Sequence, residues 1–136
     1  MKKDNKGFSL VELIIVIAIM AVLIGILAPQ YLKYVNKSKV STDITNAQEI
    51  QAAFSAAIAD GQIGGNTTTT TDTAGTSTNL AALGIENLKT WPTSKVNKDY
   101  VWAVTWSSAD GVTKITLNNK EVYPNATEYQ TDNGVN

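Results

Sequence analysis

"KGFSLVELIIVIAIMAVLIGILAP", Lys6 to Pro29, governs how the rest of the chain is read. From Leu13 to Leu27 no position is polar. No helical face is spared for water, which argues against the core helix of a soluble domain. A secretory signal is the next reading, since a basic start precedes the apolar run, but Ile26-Leu27-Ala28 lacks a small first residue and Pro29 would directly follow the cut. Phe8 to Leu27 is about 20 residues, roughly 30 Å as a helix, which is enough to cross the hydrocarbon of a bilayer. A membrane-spanning helix is the expected form.

Glu12 is the anomaly in that helix. A carboxylate costs on the order of 3 kcal/mol at mid-bilayer and less near an end, so it needs a partner. A cut after Gly7 would supply one: the new ammonium at Phe8 lies one helical turn from Glu12. The pair can form within one chain or between staggered neighbours, and a neighbour out of register would leave a charge unpaired. Glu12 is therefore read as a register-setting charge.

Composition narrows the classes. Of 136 residues 43% are apolar and 17% charged, and much of the apolar share lies before Pro29, which leaves a small soluble part anchored by Trp91, Trp102 and Trp106. The chain has no cysteine and no histidine, which removes disulfides, thiolate sites and a cysteine nucleophile and weakens zinc or general-base chemistry. All 11 basic residues are lysine against 12 acids, a net charge of −1 that gives no sign of nucleic-acid binding. With no phosphate loop and no serine beside a base, neither an enzyme nor a cofactor is expected. Asp132-Asn133-Gly134 faintly suggests a calcium loop but lacks further carboxylates, so no metal is expected and "TDNGVN" reads as a frayed tail.

Gly7-Phe8-Ser9-Leu10-Val11-Glu12-Leu13, behind a lysine-rich leader and ahead of an unbroken apolar helix, resembles the prepilin signature of type IV pilins and the related pseudopilins. The resemblance implies that a membrane prepilin peptidase cuts between Gly7 and Phe8 and N-methylates Phe8. It also implies that Glu12 recruits the subunit into a helical homo-oligomeric filament. The implied partners are that peptidase, the pilus or secretion machinery of the inner membrane, and lipid before assembly. The implied location is the cytoplasmic membrane, N-terminus inside, and then the cell surface. Lysines cannot decide that orientation, because Lys33, Lys37 and Lys39 follow the span as Lys2, Lys3 and Lys6 precede it. Loss of the leader would remove three lysines and Asp4, leaving 8 Lys against 11 acids, a net −3. Many pilins close a C-terminal loop with a disulfide, which this chain cannot do.

Pro29 removes one helical hydrogen bond and clashes with the carbonyl of Gly25, itself a weak helix former, so a bend is expected between Gly25 and Pro29. The resemblance points the same way, since many pilins have a proline there. Beyond it, Val40, Ile44, Ala47, Gln51, Phe54 and Ile58 recur at helical spacing while Lys39, Asp43, Asn46, Glu49 and Asp60 take other faces. An amphipathic helix is expected to run to about Ala59, ended by Asp60-Gly61 and Gly64-Gly65. The threonine-rich tract Asn66 to Asn79 reads as a surface loop that O-linked sugar could decorate. Three N-glycosylation patterns, at Asn36, Asn66 and Asn125, are of a kind frequent by chance. "NLAALGIENLK" suggests a helical turn stopped by Trp91-Pro92. Tyr100, Trp102, Val104 and Trp106 then alternate as one face of a strand, Asp110-Gly111 turns the chain, Val112 to Leu117 returns, and Glu121 to Tyr123 adds a third strand before Pro124.

The expected fold is α+β: a long N-terminal helix spine, its first half transmembrane, with a small antiparallel sheet packed on its second half. The expected divisions are a leader at 1–7, a spanning and assembly helix at 8–30, the amphipathic half at 31–60, and a head at 61–136 containing the loop 66–79. The function expected is a type IV pilus subunit. The alternatives are a pseudopilin of a secretion or DNA-uptake system, or a single-span anchored binding module.

Overall fold

The computed structural model describes residues 6–64, 69–74 and 90–135. Two compact units, Met1–Val35 and Asn36–Asn136, divide the chain. One helix, α1 (Leu10–Ala59), contributes to both. In the first unit every described residue up to Tyr34 is exposed, apolar side chains included, and this stretch is apolar and long enough to cross a membrane. That follows from the sequence, because a rod apolar on all sides has no preferred face to bury against its own chain.

In the second unit α1 becomes one-sided. Val40, Asp43, Ala47, Ile50, Ala53, Phe54 and Ala57 are buried. Opposite them stands a four-stranded antiparallel sheet in the order β1-β2-β3-β4, made of Thr70–Thr73, Trp102–Ser107, Gly111–Leu117 and Lys120–Tyr123. Its inner face carries Trp102, Val104, Trp106, Val112, Ile115, Leu117 and Val122, which share one core with the helix stripe and with Tyr129 of the short helix α2 (Thr127–Asp132). The fold is thus α+β, a long helix with an antiparallel sheet, as the sequence predicts.

Two register shifts explain the spacing of the inward residues. Between Thr105 and Trp106 the pairing skips Thr113, so Val112 and Ile115 both face the core although three positions apart. The skipped threonine uses its Oγ1 to donate to the Thr105 carbonyl at 3.1 Å. A second shift inserts Val122 opposite Ile115 and Thr116 and turns it inward. The β3–β4 turn, Asn118-Asn119, has both residues at positive φ (52° and 63°), a hairpin geometry that asparagine tolerates better than most residues.

Three expectations are corrected. Asp43, expected on a polar face, is fully buried. Its position three after Val40 and four before Ala47 places it on the buried stripe despite its charge. The threonine tract is not all loop, because Thr70–Thr73 pairs with β2 and Asp72 accepts from Trp106 Nε1 at 2.7 Å. The C-terminal tail is not frayed. Asn133 follows α2, Gly134 lies at φ +69°, and the Val135 and Gly134 amides donate to Gln130 and Thr131, which closes the helix while Val135 packs on the core. The helical turn expected at 79–89, the leader's first residues and positions 66–68 and 75–79 of the threonine tract lie outside the described residues.

α1 ends by the same device, with Gly61 at φ +70° and the Gln62 and Gly61 amides donating to Ala57 and Ile58. Nothing lies near the site of an added Cβ, so Gly61→Ala meets no clash and suffers only the left-handed conformation. It is expected to lose roughly 1–2 kcal/mol of head stability in urea unfolding followed by tryptophan fluorescence.

Asp43 organises this unit. One carboxylate oxygen accepts from Ser94 Oγ (2.6 Å), Tyr129 OH (2.7 Å) and the Val96 amide (3.3 Å), and the other accepts from the Lys95 amide (2.7 Å). One side chain on α1 therefore ties down both the segment before β2 and the C-terminal helix. Burial, and then the adjacent Asp43, push the Tyr129 hydroxyl well above the ordinary tyrosine value near 10. The folded protein keeps a proton that the unfolded chain gives up, so this contribution is complete below about pH 10 and falls as pH rises beyond it. Urea midpoints across that range are expected to show the fall in the wild type, with the share due to this residue gone in Tyr129→Phe.

Candidate processing and assembly site

Residues 6–9 precede the helix and are exposed, so the Gly7–Phe8 peptide lies in open, non-helical backbone. Helix α1 starts at Leu10 because Ser9 caps it. The Ser9 amide donates to Glu12 Oε2 at 2.7 Å, and the Glu12 amide donates to Ser9 Oγ at 3.3 Å. This is a reciprocal capping box, which satisfies two amides that the first helical turn leaves without partners. Ser9 was not singled out above, although a serine three residues before a glutamate at the head of an apolar run is legible in sequence.

Glu12 thus has a local role as well as the charge role expected of it: its carboxylate is turned back toward the helix start. Phe8, Glu12, Leu13, Ile15 and Val16 border one open recess, and the Phe8 ring is 85% exposed. The structure therefore brings Phe8 and Glu12 together. It keeps Gly25 and Pro29 apart from them, both inside α1, whose helical assignment runs unbroken through the two. Chemically the arrangement offers an accessible peptide bond, a carboxylate fixed within a turn of it, and a long apolar surface that is exposed among the described residues.

The Prokaryotic N-terminal methylation motif matches residues 2–28. The type IV major fimbrial protein FimA of Dichelobacter nodosus is 36% identical over 93 residues, covering 62% of this chain and 60% of FimA. Fimbrial protein Q of Moraxella bovis is 33% identical over 136 residues, covering 84% of this chain and 87% of that protein. The chain belongs to the type IV fimbrial proteins. A fimbrial protein of Pseudomonas aeruginosa is 37% identical over 60 residues, 44% of this chain and 39% of its own length. The match thus spans less than two thirds of several of these fimbrial relatives' own length. No solved structure matches the chain. The methylation motif covers the capped start of α1 and ends one residue before Pro29.

Proposed function

We propose that this fimbrial protein is the structural subunit of a type IV pilus. It enters the cytoplasmic membrane as a single span with its N-terminus in the cytoplasm, is cut by a prepilin peptidase between Gly7 and Phe8, and is N-methylated on Phe8. It then leaves the membrane for a helical polymer. The observation that carries this reading is the capped helix start: an exposed, non-helical Gly7–Phe8 bond directly ahead of a helix whose apolar side chains are uncovered from Leu10 to Leu27. Outside lipid such a surface is stable only against like helices, where close packing replaces lipid contact and the Phe8–Glu12 pairing favours one stagger.

In this reading residues 1–7 are the leader, 8–30 the spanning and assembly helix, 31–60 its amphipathic continuation and 61–136 the remainder of the head. Gly25 and Pro29 mark a weak point where the spine bends or loosens in the filament, because Pro29 has no amide to offer the Gly25 carbonyl. The partners are the peptidase and the inner-membrane assembly machinery. Catalysis has no part in the role.

The test is intact mass and N-terminal sequence of the protein from the native membrane and from filaments sheared off the cell surface. A sheared-fraction chain beginning at Phe8 and carrying one added methyl group is the expected result. A chain beginning at Met1 or Pro29 overturns the filament reading, and a processed chain confined to the membrane fraction favours the short pseudopilus of a secretion or uptake machine.

A further inference from the structure

Tyr31 and Tyr34 lie three residues apart on α1, directly after the apolar run, and both are strongly exposed (67% and 71%). Among the described residues neither hydroxyl has a hydrogen-bond partner. Lys33 stands between them, also exposed. An exposed tyrosine carries an apolar ring and a polar tip, the combination that settles at the boundary between hydrocarbon and headgroups, and a lysine beside it faces the phosphate layer.

The spacing fits such a boundary. From Leu10 to Tyr31 is 21 residue steps along one helix, about 32 Å, close to the roughly 30 Å of a bilayer's hydrocarbon. A helix whose Tyr31 sits at one headgroup layer has its capped start, and so the Gly7–Phe8 bond, at the other.

Resting on the membrane reading above, we propose that Tyr31, Lys33 and Tyr34 form an interfacial collar that binds the lipid headgroup layer and fixes the depth of the helix. The collar is a depth gauge. It holds the scissile bond at the opposite membrane surface, a full span away, without touching it. The apolar run alone cannot do this, because a uniformly apolar rod slides by a residue or two at little cost, whereas amphipathic rings resist movement in either direction.

The chain's lack of cysteine makes a direct test available. A spin label is placed at Leu23→Cys or at Lys6→Cys of the full-length protein in vesicles of phosphatidylethanolamine and phosphatidylglycerol. Its depth is read from relaxation by oxygen against a water-soluble nickel chelate. In the Tyr31→Ala/Tyr34→Ala background both labels are expected to shift together by about 3 Å, two residues of helical rise, and Tyr31→Trp/Tyr34→Trp is expected to restore the original depth. Unchanged depths in the alanine background, or a shift that tryptophan fails to reverse, overturn the collar. A Leu23 label open to the aqueous chelate in the otherwise unaltered chain overturns the membrane reading itself, and the collar with it. Neither tyrosine belongs to the buried core, so head folding, checked by tryptophan fluorescence, is expected to be unchanged.

Discussion

Glu12→Ala pilin is expected to accumulate in the membrane as a stable protein and to be missing from sheared filaments. On the proposed pairing, its absence leaves the Phe8 ammonium without a counter-charge among apolar helices. Breaking a buried pair in that way costs roughly 3–5 kcal/mol. At 1.4 kcal/mol per tenfold, subunit association falls by about 100-fold or more. Glu12 also closes the capping box with Ser9, so alanine removes two roles at once. Glutamine separates them, because it can still accept from the Ser9 amide but carries no charge. The ratio of sheared to cell-bound pilin is therefore expected to be as low in Glu12→Gln as in Glu12→Ala. Filaments at wild-type levels in Glu12→Gln would mean that the cap, not the charge, matters, and the pairing mechanism would fail.

Asp43→Ala is the second large effect, and it acts on the head. It leaves the Ser94 and Tyr129 hydroxyls and the Lys95 and Val96 amides without their acceptor. A lost hydrogen bond to a charged group costs roughly 1.5–3 kcal/mol, and stranded buried donors cost more together than singly, although such losses are not additive. A total of about 3–5 kcal/mol is expected, a large part of the 5–15 kcal/mol that holds typical domains together. Urea unfolding of the full chain in detergent, followed by tryptophan fluorescence, measures it. The cycle with Tyr129→Phe identifies the cause: the double variant is expected to lose less than the sum of the two singles, because both remove the same bond. Strict additivity would show that the two side chains do not act together.

What the sequence discloses here depends on the range of the interaction. The apolar run to Leu27 is legible because its composition alone decides it, and β2 is legible because Trp102, Val104 and Trp106 alternate within six residues. The end of α1 at Ala59 follows from Gly61 two residues on. Asp43 is not legible in this way. A charged residue is assigned to solvent by default, and the donors that make its burial tolerable lie 51 to 86 positions away. The strand within the threonine tract is hidden for the same reason: four polar residues have no alternation of their own and become a strand through pairing with β2, and Asp72 meets Trp106 34 residues on. At the candidate processing site Gly7, Phe8 and Glu12 are carried by local pattern, and so is Ser9, whose capping role is readable from its spacing to Glu12 alone.

The two ties from α1 to the C-terminal segment also have a mechanical meaning. Asn36 Nδ2 donates to the Asn133 carbonyl, and seven residues further along α1 Asp43 accepts from Tyr129. In the proposed filament, tension would reach each head through its spine, and Asn36 is where α1 enters the head unit. The load is shared at once with the far end of the chain, before it reaches the sheet. Among the described residues, these two anchorages, two helical turns apart, would have to give way before α2 could peel from α1, so in the proposed filament residues 127–135 would bear part of the strain.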